Sequence, residues 1–303
     1  MKKYCRVNVG TIWKNKDKAR EIDRDGIMYP ANIQRWLLEL NLDEKMSFTK
    51  DNRIDTQILY GEAVEVIEEH DGWSHVICLE QPSKQHPKGY PGYIPSSQLG
   101  DLNQEKSSQY MRVKVPKTTL FNQDFTTKQI LSFNTTLPVV KIGERFVEVA
   151  TPEVDDGLIN IQDIELSDEF GTFKTGTMKD VIQNAKLFID LPYFWGGMSS
   201  YGYDCSGLCF QMYKSQNFHI PRDADEQFEA MTELPINLDG LQMGDLLFFS
   251  KPDDDGFLSH VGIYMGEDMM IHAPHTPKSI EIVKIPGSYY QKILVKAARL
   301  STI

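Results

Sequence analysis

A chain of 303 residues has room for two or three domains, each with its own core. Its net charge of −11 argues against a nucleic-acid partner, which needs basic patches against phosphate. No apolar run approaches bilayer-crossing length, and Arg6 and Asn8 interrupt anything like a signal-peptide core after Lys2 and Lys3, so a cytoplasmic protein without membrane contact is expected.

Residues 4–13 alternate like a strand. A helical insertion over about 14–52 follows, in which Pro30-Ala31 opens a helix and Ile33, Trp36, Leu37 and Leu40 mark its apolar face. Strand patterning returns at 58–60, 63–67, 73–77 and 92–95, with a polar loop at 80–91; short strands broken by turn signals suggest a small barrel. A polar linker is expected over 101–109, then a second strand-rich block with strands at 111–115, 136–140, 146–149 and 157–160. From Thr177 the periodicity turns helical (Val181, Ala185, Leu187, Phe188). Helices at Cys205 and Ala224–Met231 come next, then strands at 245–250, 260–265, 269–272 and 280–284. Helices first and an antiparallel sheet after is an α+β layout. The expected domains are residues 1–105, 106–170 and 171–303.

Four widely spaced cysteines make no disulfide framework and no zinc-ligand set, so no metal or other cofactor is expected. Cys5, Cys78 and Cys209 read as small core hydrophobes. Cys205 differs, because Asp204 and Ser206 flank it, Gly196-Gly197 marks a turn ahead, and Leu208, Cys209, Met212 and Tyr213 recur at helical spacing behind it. A thiol in the first turn of a helix meets unpaired N–H groups and partial positive charge, which favour the thiolate. A cysteine hydrolase also needs a base for the thiol proton and a group that orients the base. His260 and His272 lie on strand-like segments and suit those two roles, with His275 as a nearby competitor for the second.

Strand geometry constrains the pair. His260, Gly262 and Tyr264 share one face of their strand, and Met270 and His272 share a face of the next. A three-residue loop at Gly266-Glu267-Asp268 sets Gly262 opposite His272 and both imidazoles on one face. A two-residue loop sets them on opposite faces unless a bulge compensates.

The residues Pro192-Tyr193, Trp195-Gly196-Gly197, Asp204-Cys205-Ser206-Gly207-Leu208, Pro221-Arg222, Gln227, Gly244-Asp245-Leu246, His260-Val261-Gly262-Ile263-Tyr264 and Ile271-His272-Ala273 stand in an order that resembles the NlpC/P60 cell-wall peptidases. The upstream blocks look like bacterial SH3 (SH3b) modules. The whole is similar to the γ-D-glutamyl-L-diamino acid endopeptidases of murein recycling. That resemblance implies two small all-β SH3b-like barrels followed by an α+β papain-like domain. It also implies a peptidase acting on L-Ala-γ-D-Glu-diamino acid peptides, with Cys205, His260 and His272 catalytic. By the same resemblance Asp204, Ser206, Trp195, Tyr193 and Asp223 line the substrate, and Glu62 and Tyr90 of the first barrel serve its α-ammonium. Tyr193 with the Cys205 N–H is the candidate oxyanion site. The same sequence offers bland readings: Asp204 as a helix cap, Asp223 with Glu226 as a capping box, and Tyr193 as core. Ala224 stands where many relatives carry Ser or Thr, which removes a hydroxyl contact. Another wall hydrolase such as an amidase with SH3b anchors, and a non-catalytic binding protein on the same fold, are the competing functions. The oligomeric state and the choice between diaminopimelate and lysine are not encoded in any of these patterns.

Overall fold

The computed structural model describes residues 1–102, 107–251 and 256–301. They form two compact units, the first from Met1–Gln81, Gln85–Lys174 and Met198–Tyr201, the second from Pro82–Lys84, Thr175–Gly197 and Gly202–Ile303.

The first unit contains two antiparallel sheets of seven strands each. One runs in the order Ile54–Leu59, Val9–Trp13, Tyr90–Pro95, Trp73–Cys78, Ala63–His70, Lys2–Cys5, Leu99–Gly100. The stretch 4–13, expected as a single strand, is two, because the chain turns after Cys5 and buries Val7 in the core. The insertion carries the expected helix, Ile33–Glu39, and a second, Leu42–Lys50, whose one buried residue, Phe48, gave no periodicity to read. Trp36 and Phe48 lie 6.1 and 6.4 Å from the Trp13 ring and seat the insertion on the sheet.

The second sheet runs Thr127–Ser132, Lys117–Phe121, Gly157–Asn160, Phe146–Val149, Thr136–Ile142, Tyr110–Val113, Ile164–Ser167 around a core that includes Met111, Leu120, Leu137 and Ile159. Its strands at 117–121 and 127–132 are rich in Lys, Thr and Gln and were not anticipated from alternation. Of the expected linker 101–109, residues 103–106 lie outside the described residues.

In the second unit the helices Met178–Lys186, Cys205–Lys214 and Ala224–Glu229 precede a sheet ordered Thr232–Leu234, Leu294–Arg299, Leu246–Phe249, His260–Gly266, Met269–His272, Glu281–Lys284. The Leu294–Arg299 strand, unforeseen, lies inside this sheet, and Arg299 holds the buried Asp245 carboxylate through two contacts of 2.7 Å. The capping box expected between Asp223 and Glu226 is not formed. Glu226 instead accepts the Ser83 hydroxyl at 3.2 Å and the Lys84 N–H at 2.9 Å, donors that no local pattern reveals.

The hairpin joining the two histidine strands takes the bulged solution rather than the three-residue loop. Gly266 pairs with Met269 across a two-residue turn, Glu267-Asp268, whose φ angles are 53° and 61°. The register then shifts between Tyr264 and Gly266, so Tyr264 faces Met270 and Ile263 faces Ile271. Continuing that register sets Gly262 against His272, and a Cβ built on Gly262 falls 3.1 Å from His272 Cβ and 3.1 Å from Met270 Sδ. Gly262→Val is therefore expected to destabilise the protein by about 1–3 kcal/mol, the usual cost of overpacking a filled core. Urea denaturation against wild type measures it.

Candidate active site

The helix carrying Cys205 starts at that residue, with Asp204 as its cap. Asp204 Oδ1 accepts the Gly207 N–H at 2.6 Å and the Ser206 hydroxyl at 3.3 Å. Its other oxygen accepts Arg222 Nη2 at 2.6 Å, and Arg222 Nη1 donates to Ser206 Oγ at 2.8 Å. Gln227 Nε2 completes the clamp by donating to the carbonyls of Ser206 and Pro221, both at 3.0 Å. Arg222 is 1% exposed and Gln227 fully buried, so the whole network stands out of water. Sequence reasoning assigned no role to these two residues. Their signal was present, a Pro-Arg pair and a Gln in an amphipathic helix, but nothing in it named Asp204 as the partner.

Both candidate histidines are inside the sheet. His260 Nε2 lies 2.8 Å from His272 Nδ1, the contact expected of a base and its orienter. The rings of Phe249 and Tyr290 enclose them, Phe249 at 5.5 Å from His260 and Tyr290 edge-on at 4.6 Å from His272. His260 Nδ1 is buried with no hydrogen-bond partner among the described residues. His275, the competitor, is exposed and turns its Nδ1 to the Thr276 carbonyl at 2.8 Å.

The electrostatics correct one expectation. Burial pushes the Cys205 thiol up, to about 12, and the neighbouring Asp204 charge adds to the rise. The N–H groups of Val261 and Ser206 and the Arg222 guanidinium pull the other way without cancelling it. The helix start therefore does not by itself make a thiolate, because desolvation is the larger effect. Burial likewise lowers His260 to about 3, helped by the charges of His275 and Lys251. It lowers His272 to about 2, helped by His260, Lys278 and His275. All three shifts run in the direction that favours a neutral thiol and two neutral imidazoles over a charged pair, although Cys205 itself is only half-buried. The Val261 amide that meets the thiol belongs to the residue after His260, which places the sulfur at the head of the histidine strand.

Known proteins are similar to this chain along most of its length. The NlpC/P60 family profile matches residues 190–299. Profiles for the bacterial dipeptidyl-peptidase SH3 domain and the YKFC SH3b2 domain match 47–99 and 113–166. A γ-D-glutamyl-L-lysine dipeptidyl-peptidase of Bacillus subtilis (strain 168) is 34% identical, over 96% of each chain. A protein of the same name from Bacillus cereus is 32% identical over 94% of this chain and 87% of its own length. The crystal structure of an NlpC/P60 family protein from Bacillus cereus superposes with a TM-score of 0.93 at 30% identity, covering 99% of both chains. The chain belongs to the NlpC/P60 family. It is a cysteine peptidase of that family, with two SH3b domains ahead of the NlpC/P60 domain.

The remaining residues carried over from the NlpC/P60 pattern fall in different settings. Tyr193 is buried, and its hydroxyl is held well above its usual pKa by burial and by the charges of Cys205 and Asp204, so phenol and thiol are electrostatic neighbours. Trp195 is half-buried. Asp223 keeps about a third of its side chain exposed, 3.8 Å from Arg222. Asp204 and Ser206 spend their polar atoms on the Arg222 clamp. Glu62 and Tyr90 belong to the first unit. Glu62 is buried and accepts the Leu59 N–H at 3.0 Å, and Tyr90 joins the core of the first barrel. Among the described residues no group of three or more His, Cys, Asp or Glu side chains is placed to hold a metal ion.

Replacing Arg222 by Met strands the Asp204 carboxylate in the interior, and breaking one side of a buried ion pair typically costs about 3–5 kcal/mol. Chemical denaturation of Arg222→Met is expected to show a loss of that size. For Cys205, labelling of the free protein by iodoacetamide is expected to climb steadily with pH through pH 9. A thiolate–imidazolium resting pair instead gives a plateau near neutrality, and observing one overturns the neutral assignment.

Proposed function

We propose that this chain hydrolyses the amide between the γ-carboxyl of D-glutamate and the diamino acid in short murein peptides that begin with a free L-Ala. The observation that carries the reading is the joint match of a Cys205–His260–His272 constellation with relatives that are similar along nearly their whole length and are named γ-D-glutamyl-L-lysine dipeptidyl-peptidases. A dipeptidyl-peptidase releases two residues from an unblocked N-terminus, which supports the free amine in the substrate. The proposed place of action is the cytoplasm, in recycling of cell-wall peptides. Among the described residues no helix is long and apolar enough to cross a membrane.

In the proposed mechanism the Cys205 thiol gives its proton to His260 Nδ1 as the sulfur attacks the γ-carbonyl carbon. The Cys205 N–H at the helix start and the Tyr193 hydroxyl face the oxyanion that forms. Collapse breaks the C–N bond, and His260 returns the proton to the departing amine of the diamino acid. Water, deprotonated in turn by His260, then hydrolyses the thioester and frees L-Ala-D-Glu. His272 keeps His260 in the tautomer and orientation these transfers need. The rise in thiol pKa means that proton transfer accompanies attack rather than preceding it.

Mass spectrometry after incubation with L-Ala-γ-D-Glu-L-Lys, its diaminopimelate counterpart and their N-acetyl forms tests the reading. Release of the diamino acid from the free peptides alone is the expected result. Intact free peptides, or equal cleavage of acetylated ones, overturn it. Cys205→Ala is expected to abolish turnover with an almost unchanged Tm, and His260→Ala to lose more rate than His272→Ala.

A further inference from the structure

The proposed base needs one particular arrangement of protons. Two neutral imidazoles that touch through His260 Nε2 and His272 Nδ1 at 2.8 Å place one proton between them. Two arrangements satisfy that contact. In one, His260 Nε2–H donates to His272 Nδ1, His272 carries its own proton on Nε2, and His260 Nδ1 offers a lone pair. In the other, His272 Nδ1–H donates to His260 Nε2, His260 Nδ1 is blocked by a proton, and His272 Nε2 is bare. Only the first can accept the thiol proton, and the His–His contact alone does not choose between them.

We infer that Glu281 makes the choice, as a positioning residue acting through His272. The Met269–His272 and Glu281–Lys284 strands are antiparallel with His272 and Glu281 directly paired, so both side chains leave the same face. Glu281 Oε1 lies 3.6 Å from His272 Nε2. His272 is fully buried, and that Nε2 has no hydrogen-bond partner among the described residues. At 3.6 Å the contact is outside direct hydrogen-bond range, so the carboxylate acts through its field. A negative charge facing Nε2 attracts an N–H there and repels a bare lone pair, which selects the competent tautomer of both rings. When His260 takes the thiol proton the same charge also favours the imidazolium.

Other groups face the pair as well. Lys278 Nζ holds the same Glu281 oxygen at 3.3 Å and fixes the carboxylate while tempering its charge. Tyr290 meets His272 edge-on from the helix Tyr289–Ile293, and the charges of His275, Lys278 and Lys251 all oppose protonation. Glu281 is the single carboxylate paired with either ring among the described residues. Nothing in the sequence marks it, because its relation to His272 is a cross-strand register nine residues away.

The inference rests on the histidine roles proposed above, and the variants separate the two. Glu281→Leu is expected to lower kcat by about 10- to 100-fold, the usual loss when a group orienting a functional histidine is removed. KM should stay within about threefold, since the effect is on proton transfer rather than on binding. Glu281→Gln, which keeps the shape of the side chain and removes its charge, should lose rate as Glu281→Leu does, whereas a purely structural role predicts that the isosteric Gln stays active. Nitrogen-15 NMR of the imidazoles in a Cys205→Ala background reads the tautomers without turnover. Both histidines should be Nε2-protonated with Glu281 present, and the populations should mix with Leu in its place. Circular dichroism checks that each variant is folded; should Glu281→Leu fail to fold, Glu281→Gln with the NMR readout stands in for it. Wild-type kcat in folded Glu281→Leu, or unchanged tautomers, overturns the inference while leaving the histidine roles intact. Activity surviving in Cys205→Ala or His260→Ala overturns the roles themselves.

Discussion

The Arg222–Asp204 pair is the constraint on which the rest of the site depends. Cys205, the proposed nucleophile, is the first residue of its helix and is only as well placed as that helix end, and helix ends fray. Here one carboxylate caps the helix, accepts the hydroxyl of the next serine and meets a buried guanidinium, while Gln227 ties the following backbone carbonyl. Both charges of the pair have hydrogen-bond partners within the cluster, which makes a buried charge pair tolerable. The cost is chemical, since the same Asp204 charge raises the thiol it positions.

The sheet answers the helix with a register that one bulge decides. The tight turn at Glu267-Asp268 alone sets the two histidines on opposite faces, and the shift between Tyr264 and Gly266 restores them to one. Gly262 then gives His272 space that any larger residue takes away. Phe249 and Tyr290 pack against the imidazoles, and burial lowers the pKa of both and makes their mutual hydrogen bond and any nearby carboxylate more effective. Burial thus works in two directions here, suppressing the resting ion pair and strengthening each interaction that orients the base.

Much of the site was legible in the chain because its signals are local. Asp204 before a helical repeat is a cap, and Cys205 beside it stands in the first turn whatever the rest of the molecule does. The even spacing of His260, Gly262 and His272 about a hairpin reduced the possibilities to an odd loop or a bulge, and the hairpin adopts the bulge. The helical periodicity from Thr177 also corresponds to a helix, Met178–Lys186, although Leu187 and Phe188 lie past its end. Where the patterns misled, a distant donor had won: Glu226 looked like a capping partner and serves Ser83 and Lys84 instead.

The sequence by itself singled out the residues for which catalytic roles are proposed, the element each sits on, and the order of two barrels before an α+β domain. Periodicity and capping depend on neighbours within about four residues and survive without the fold. Only the tertiary structure decided that Arg222 clamps the cysteine helix, that Leu294–Arg299 enters the sheet, and that Glu281 stands opposite His272. It also decided that desolvation, which raises the thiol pKa, outweighs the helix start, which lowers it. Strand register and desolvation are set by residues far apart in the chain, and no local pattern records how much water a side chain has lost.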